Sequence, residues 1–237
     1  MNMHYNFNKD FVHHQKSSVA EVLKEVVFGM EDGMVSTLGS ITGIAVGSGN
    51  HFTIILAGVV IIAVESISMG IGSYLSNRSQ EELEERKIQE EAHEIANYPQ
   101  QEKKELYEMY IGEGWPEDLA KQMTEVASQN PKIILKEMSV RELKIVPNQK
   151  SVSIKGGLYM FLAYIIGGAV PLFAYFILQI NLAIPVSIAV TLVGLVALGM
   201  GTTKFTKQPL LRSGLRMMIM GGIALGAGLI AGLLVKQ

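Results

Sequence analysis

Cysteine is absent from the 237 residues, which excludes disulfides, thiolate metal sites and cysteine nucleophiles. Acidic side chains are missing from the whole stretch after Glu142, and 16 of the 22 that exist lie between Gln80 and Asn148. Basic residues form no stripe able to neutralise phosphates, so nucleic acid is not an expected partner. The opening MNMHYNFNKDFVHHQKSS lacks an apolar run, so no cleavable signal peptide is expected and the first span must itself direct insertion. No internal repeat is strong enough to define an array.

What is present in excess is apolar residues, 49% of the chain, with a mean hydropathy of +0.28. Five stretches near 19–47, 52–77, 154–178, 182–203 and 209–235 are long and apolar enough to cross a hydrocarbon core of about 30 Å. The expected fold is therefore an all-α integral membrane protein with five transmembrane helices. Lys9, Lys16 and Lys24 precede the first span, Arg78 follows the second, and Lys204, Lys207, Arg212 and Arg216 surround the last turn. The positive-inside rule makes those regions cytoplasmic and leaves the turns at 47–51 and 179–181, and the C-terminus, outside.

Four parts follow: a polar tail over 1–18, spans 1 and 2 over 19–79, an acidic helical insertion over 80–148, and spans 3 to 5 over 149–237. In the insertion, SQEELEERKIQEEAHEIA extends span 2 as a polar helix that Asn97-Tyr98-Pro99 stops. QQEKKELYEMYIGEG predicts a second helix ending at glycines, and Pro116 suits the first turn of a third. Asn130-Pro131 opens a fourth that runs towards Val146-Pro147.

Span 1 contains EVVFGMEDGMVSTLGS, with acids where a membrane helix is usually apolar. Glu21, Glu25 and Asp32 fall within about 40° of one another on the helix, whereas Glu31 points roughly 80–100° aside. Glu21 and Glu25 belong at the cytoplasmic mouth and Asp32 deeper. Gly29, Gly33, Ser36, Ser40, Gly43 and Gly47 make a small-residue seam beside them. Folding the first hairpin about residue 49 brings Asp32 and Met69 to depths that differ by about 3–5 Å, with Glu65 one turn away on the same side of span 2.

An intramembrane acid normally faces a cavity, a partner or an ion. Carboxylate oxygen together with thioether sulfur suits borderline divalent ions such as Fe²⁺, Mn²⁺ or Co²⁺. Such carboxylates must lose protons to bind metal, which couples H⁺ to M²⁺. In the insertion, Glu91/Glu94 and Glu102/Glu105 each offer two acids from one helical face, and Met138/Glu142 repeats the sulfur-plus-carboxylate chemistry. Glu90-x-x-His93 matches one half of a di-iron carboxylate motif, and His4, His13 and His14 sit in the tail.

Three stretches together carry a family resemblance: EVLKEVVFGMEDGMVSTLGSITGIAVG, ESISMGIGSYLSNRSQEE and the acidic insertion followed by three spans. On these the chain resembles the vacuolar iron transporter family over nearly its whole length. The resemblance implies a five-span homodimer, not an enzyme, that moves Fe²⁺, and often Mn²⁺ and other divalent ions, out of the cytosol in exchange for protons. It implies no resident cofactor. It makes Asp32 and Met69 the intramembrane ligands and Glu21 and Glu25 the entrance carboxylates. Glu91, Glu94, Glu102, Glu105, Met138 and Glu142 then belong to a cytoplasmic domain that concentrates ions.

Two positions depart from the family pattern. Ile61 stands where relatives commonly place an acid, with Glu65 one turn nearer Met69, and Ser139 stands where many have a second methionine. A short tail without targeting features favours a prokaryotic cell membrane over a vacuolar one. Two competing readings are a membrane-anchored ferritin-like oxidase working at the acidic insertion, and a metal sensor or scaffold. The first needs a second Glu-x-x-His step, and the second has no use for an intramembrane ligand. Glycine pairs such as Gly222/Gly226 and Gly228/Gly232 suit contacts between subunits or within one.

Overall fold

The computed structural model describes residues 18–145 and 153–235, with side chains from residue 22 onward, so the tail histidines His4, His13 and His14 and the Val146-Pro147 pair lie outside the described residues. Eight helices and no strand occur among the described residues: α1 Ser18–Ser48, α2 His51–Asn97, α3 Pro99–Gly112, α4 Glu117–Ser128, α5 Pro131–Arg141, α6 Ser153–Ile177, α7 Ile180–Thr206 and α8 Leu210–Val235. They divide into two compact units, one made of residues up to Ile71 and from Lys155, the other of Gly72–Ile154.

In the first unit, α2, α6, α7 and α8 are long and apolar enough to cross a membrane. At 1.5 Å per residue, α6 to α8 measure about 37–41 Å, more than a hydrocarbon core needs. α1 has the length, at 31 residues, but Glu25, Glu31, Asp32 and its many Ser, Thr and Gly residues leave it without a stretch as apolar as those in the other four.

Without water to drive helices together inside a bilayer, close packing has to hold them, and small residues permit it. The seam expected on α1 divides between two neighbours. Gly29 and Gly33 lie against α6, where an added Cβ would stand 2.8 Å from the Met160 carbonyl oxygen and 2.9 Å from the Gly168 nitrogen. Gly39, Gly43 and Gly47 lie against Ala224, Gly228 and Gly232 of α8, at a constant offset of 185 residues, so α1 and α8 run parallel. Gly228 and Gly232 thus pack within one subunit, whereas Gly222 and Gly226 have nothing within 4 Å of a Cβ position.

An apolar core of Ile41, Ala45, Ile54, Leu172, Tyr175 and Ala183 joins α1, α2, α6 and α7. The turn between α1 and α2 uses Gly49 at φ +60°, and His51 Nε2 meets the Tyr175 carbonyl oxygen at 2.6 Å.

The second unit begins with the polar end of α2, braced by i,i+4 pairs such as Arg78–Glu82 at 2.8 Å. Pro99 starts α3 at its first position, and Gly114 at φ +92° follows its end. Pro116 sits one residue before α4, as its N-cap, where an extended backbone suits it. Asn130 caps α5 by accepting a hydrogen bond from the Lys132 amide at 3.0 Å.

α5 stops at Arg141, short of the expected Val146. Lys144 takes a left-handed backbone at φ 58°, and the Ile145 amide reaches back to the Ser139 carbonyl at 2.8 Å, closing the helix as a glycine usually does. Leu106, Tyr110, Ala120, Ala127, Ile134 and Met138 form the core of this unit, with Ile95 packed against it.

Candidate functional site

In the first unit, α1 and α2 present Asp32 and Glu65 as electrostatic neighbours. Asp32 is half-buried because Gly29 and Gly33 draw its stretch of α1 onto α6. α6 supplies Tyr164, fully buried, whose hydroxyl lies 2.6 Å from Ser36 Oγ and which is within electrostatic reach of both acids. Met69 is half-buried on α2, one turn, or about 6 Å, from Glu65.

Glu31 interacts with Arg216 of α8 as well as with Asp32. The same 185-residue offset that pairs the glycines of α1 and α8 puts Glu31 and Arg216 at one level. Glu25 is 7% exposed, and the side chain of Glu21 lies outside those described. Beyond Ser36 an open cavity of about 790 Å³ is flanked by one side of the packed α1–α8 pair, lined by Ser40, Ser48, Gly43 and Ala227 among others and walled on the α2 side by Ile61.

Arg216, Tyr164 and Ser36 were not marked by the acidic pattern. A tyrosine in the middle of an apolar span is itself a signal, since a buried phenol requires a hydrogen-bond partner.

The second unit gathers Glu91, Glu94, Glu102, Glu105 and Glu142 into one interacting group. Glu91 and Glu102 are 2% and 5% exposed, and Glu91 Oε1 and Glu102 Oε2 are buried without a hydrogen-bond partner. Burial first, then the charges of Glu142 and Glu102, push the Glu91 carboxyl up to about 8. Burial also raises Glu102 and Glu105; at Glu102 a hydrogen bond with Glu91 works against the rise while the charges of Glu105, Glu142 and Glu94 add to it, and at Glu105 the charges of Glu142, Glu94 and Glu108 add to it.

Met138 is 0% exposed within the apolar core, so packing accounts for its side chain. Ser139 is buried too and donates to the Leu135 carbonyl at 2.6 Å. Glu90 pairs with Arg86 at 3.3 Å and His93 is exposed, so the single Glu-x-x-His step stands apart from the acidic group. Among the described residues no three His, Asp or Glu side chains already converge on a point as a metal cage. The chemistry on offer is hard oxygen donors that repel one another.

A family model described as the VIT family matches residues 23–233. The chain belongs to the VIT family. Vacuolar iron transporter 1 of Tulipa gesneriana is 30% identical over 217 residues, covering 91% of this chain and 88% of that protein. Vacuolar iron transporter of Plasmodium berghei (strain Anka) is 29% identical over 243 residues, covering 98% and 88%. Vacuolar iron transporter 1 of Arabidopsis thaliana is 26% identical, covering 91% and 87%. The VIT match takes in both units, from Leu23 at the start of α1 almost to the end of α8.

Proposed function

We propose that this VIT-family protein is a metal-ion transporter that carries Fe²⁺, and Mn²⁺ or similar divalent ions, out of the cytoplasm in exchange for protons. The observation that carries the reading is the pair Asp32 and Glu65, two acids on adjacent helices of a unit otherwise built from apolar spans. An isolated charge at membrane depth costs about 2.5–3.5 kcal/mol on insertion scales, so two together are retained for a function. Like charges at close quarters are relieved either by one divalent cation or by protons, so the same pair alternates between the two cargoes. The printed names of the relatives, vacuolar iron transporters, support iron as a substrate.

In this reading α1 is the fifth membrane span, and residues 80–148 form a cytoplasmic domain that captures ions with Glu91, Glu94, Glu102, Glu105 and Glu142. Met138 is left to packing. The ion then passes Glu21 and Glu25 and meets Asp32, Glu65 and Met69, with the Tyr164 phenol as an added oxygen donor. The working form is a homodimer in the bilayer, with the N-terminus on the cytoplasmic side.

The test is transport by purified protein in liposomes. Fe²⁺ flux should be accompanied by an opposing proton flux, and Asp32→Ala should abolish both. Undiminished flux in that variant removes Asp32 from the pathway.

A further inference from the structure

The acidic group of the second unit would be worthless to an ion if nearby lysines and arginines neutralised it. Three cations stand next to it in sequence: Lys103 follows Glu102, Lys104 precedes Glu105, and Arg141 precedes Glu142. All three are bound to acids outside the group, Lys104 to Glu108 one turn along α3 at 3.5 Å. Lys103 Nζ crosses from α3 to α4 and meets Glu125 Oε2 at 2.5 Å. Arg141 forks between Glu137, at 3.0 Å from its Nε, and Glu113 at the end of α3, and its guanidinium lies 4.6 Å from the centre of the Tyr110 ring.

The receiving acids are themselves fixed. The Tyr110 hydroxyl donates to Glu137 at 3.1 Å, and the Trp115 indole N–H donates to Glu113 at 3.2 Å.

The two classes of acid are electrostatic opposites. Hydrogen bonds from Arg141 and Lys103 hold Glu113 and Glu125 below the usual carboxylate range. Glu91, Glu102 and Glu105 are raised first by burial and then by the charges of neighbouring carboxylates, Glu142 among them in each case. Lys103 and Arg141 are therefore held at Glu125, Glu113 and Glu137 rather than at the group around Glu91.

We propose that Glu125, Glu113 and Glu137 set the cation affinity of the acidic domain without touching the ion, by holding Lys103 and Arg141 away from Glu102 and Glu142. This rests on the reading of the acidic group as an ion-capture site. A lysine has a flexible four-carbon stem, so once released Lys103 is no longer held at α4 and its charge opposes an incoming cation at the group.

The Lys103–Glu125 pair gives the cleaner test, because it is a surface pair and such pairs contribute little to folding. Mn²⁺ is the probe, titrated at low ionic strength against the full chain in detergent. Glu125→Gln should weaken Mn²⁺ binding about three- to tenfold, the effect of one uncompensated charge near a divalent ion. Lys103→Gln alone should stay within about twofold of the parent, and adding it to Glu125→Gln should restore parental affinity.

A purely structural bridge behaves otherwise, since it is lost equally from either side. Equal weakening by Lys103→Gln and Glu125→Gln, or failure of the double variant to recover, overturns the proposal, as does parental binding by Glu125→Gln. Glu102→Gln with Glu105→Gln separates the two levels. If that variant binds Mn²⁺ like the parent, ion capture itself fails. If it binds weakly while Glu125→Gln does not, only the diversion of Lys103 fails.

Discussion

The contact between α1 and α8 makes a sharp prediction for Gly228→Ala. A Cβ at Gly228 would lie 2.6 Å from the Gly39 carbonyl carbon and 2.9 Å from its Cα, whereas ordinary contact begins at 3.4 Å. The Gly39 carbonyl oxygen lies nearer still, so the helices would have to part by more than about 0.8 Å. No side chain can turn away, because the obstacle is backbone. Forcing extra methylenes into a packed interior costs about 1–3 kcal/mol, and a backbone wall puts this site at the upper end.

For 150–250 residues each kcal/mol moves the midpoint by about 2–4 °C, so Gly228→Ala should melt about 6–12 °C below the parent. Gly222, six residues earlier on the same helix, has nothing within 4 Å of a Cβ position, so Gly222→Ala should change the midpoint little. The assay is thermal unfolding of the purified chain in detergent. Equal midpoints for the two variants would refute the α1–α8 seam, and with it the level shared by Glu31 and Arg216.

Four further outcomes are expected. Reversing one charge, by Glu31→Arg or by Arg216→Glu, should lower transport in liposomes, and combining the two should restore part of it, because the residues lie within electrostatic reach across α1 and α8; a double variant no better than the singles excludes that coupling. With Glu91 raised to about 8, its carboxyl is still protonated at pH 7, so an ion binding there must displace a proton. Apparent Mn²⁺ affinity of the acidic domain should rise about tenfold per pH unit between pH 6 and 7.5, then flatten above 8, and Glu91→Gln should remove that component of the slope. The folded state holds this proton more tightly than the unfolded chain. Its contribution to stability is therefore full below the unfolded value of 4.5 and is lost as pH rises through about 8, so the ion-free second unit should be less stable at pH 8.5 than at pH 5. Asn130→Ala removes the side chain that accepts from the Lys132 amide, costing about 1 kcal/mol, and should lower hydrogen-exchange protection at the start of α5 by about fivefold while leaving α3 unchanged.

The helices were legible where local chemistry decides them. Pro99, Asn130-Pro131 and the glycines near 112–114 carry their own backbone restrictions, and the structure breaks the chain at each. The end of α5 was not legible, because Lys144 occupies a left-handed position that sequence signals only through glycine or asparagine. Periodicity found the small-residue face of α1 but not its division, since Gly29 and Gly33 meet α6 while Gly39, Gly43 and Gly47 meet α8, partners more than 125 residues away in the chain. Met138 shows the same limit in the opposite sense. An i,i+4 methionine and glutamate look alike whether the sulfur faces an ion or a core, and here it packs among Leu106, Tyr110 and Ile134.

Which acids are spent and which are kept available is a tertiary property, and it separates neighbours in both units. Glu31 and Asp32 are adjacent in sequence and act on each other, yet Glu31 also lies within electrostatic reach of Arg216, whereas Asp32 has Glu65. Glu113 and Glu125 hold Arg141 and Lys103, while Glu91 and Glu102 are surrounded by other carboxylates. Helical arithmetic told Glu31 from Asp32 by direction, and the fold supplies the physical reason the direction matters. A carboxylate already paired with a cation gains little from a divalent ion, whereas one held among like charges gains from the first cation to arrive. Capture therefore depends as much on the acids that occupy the lysines and arginines as on those left to meet the ion.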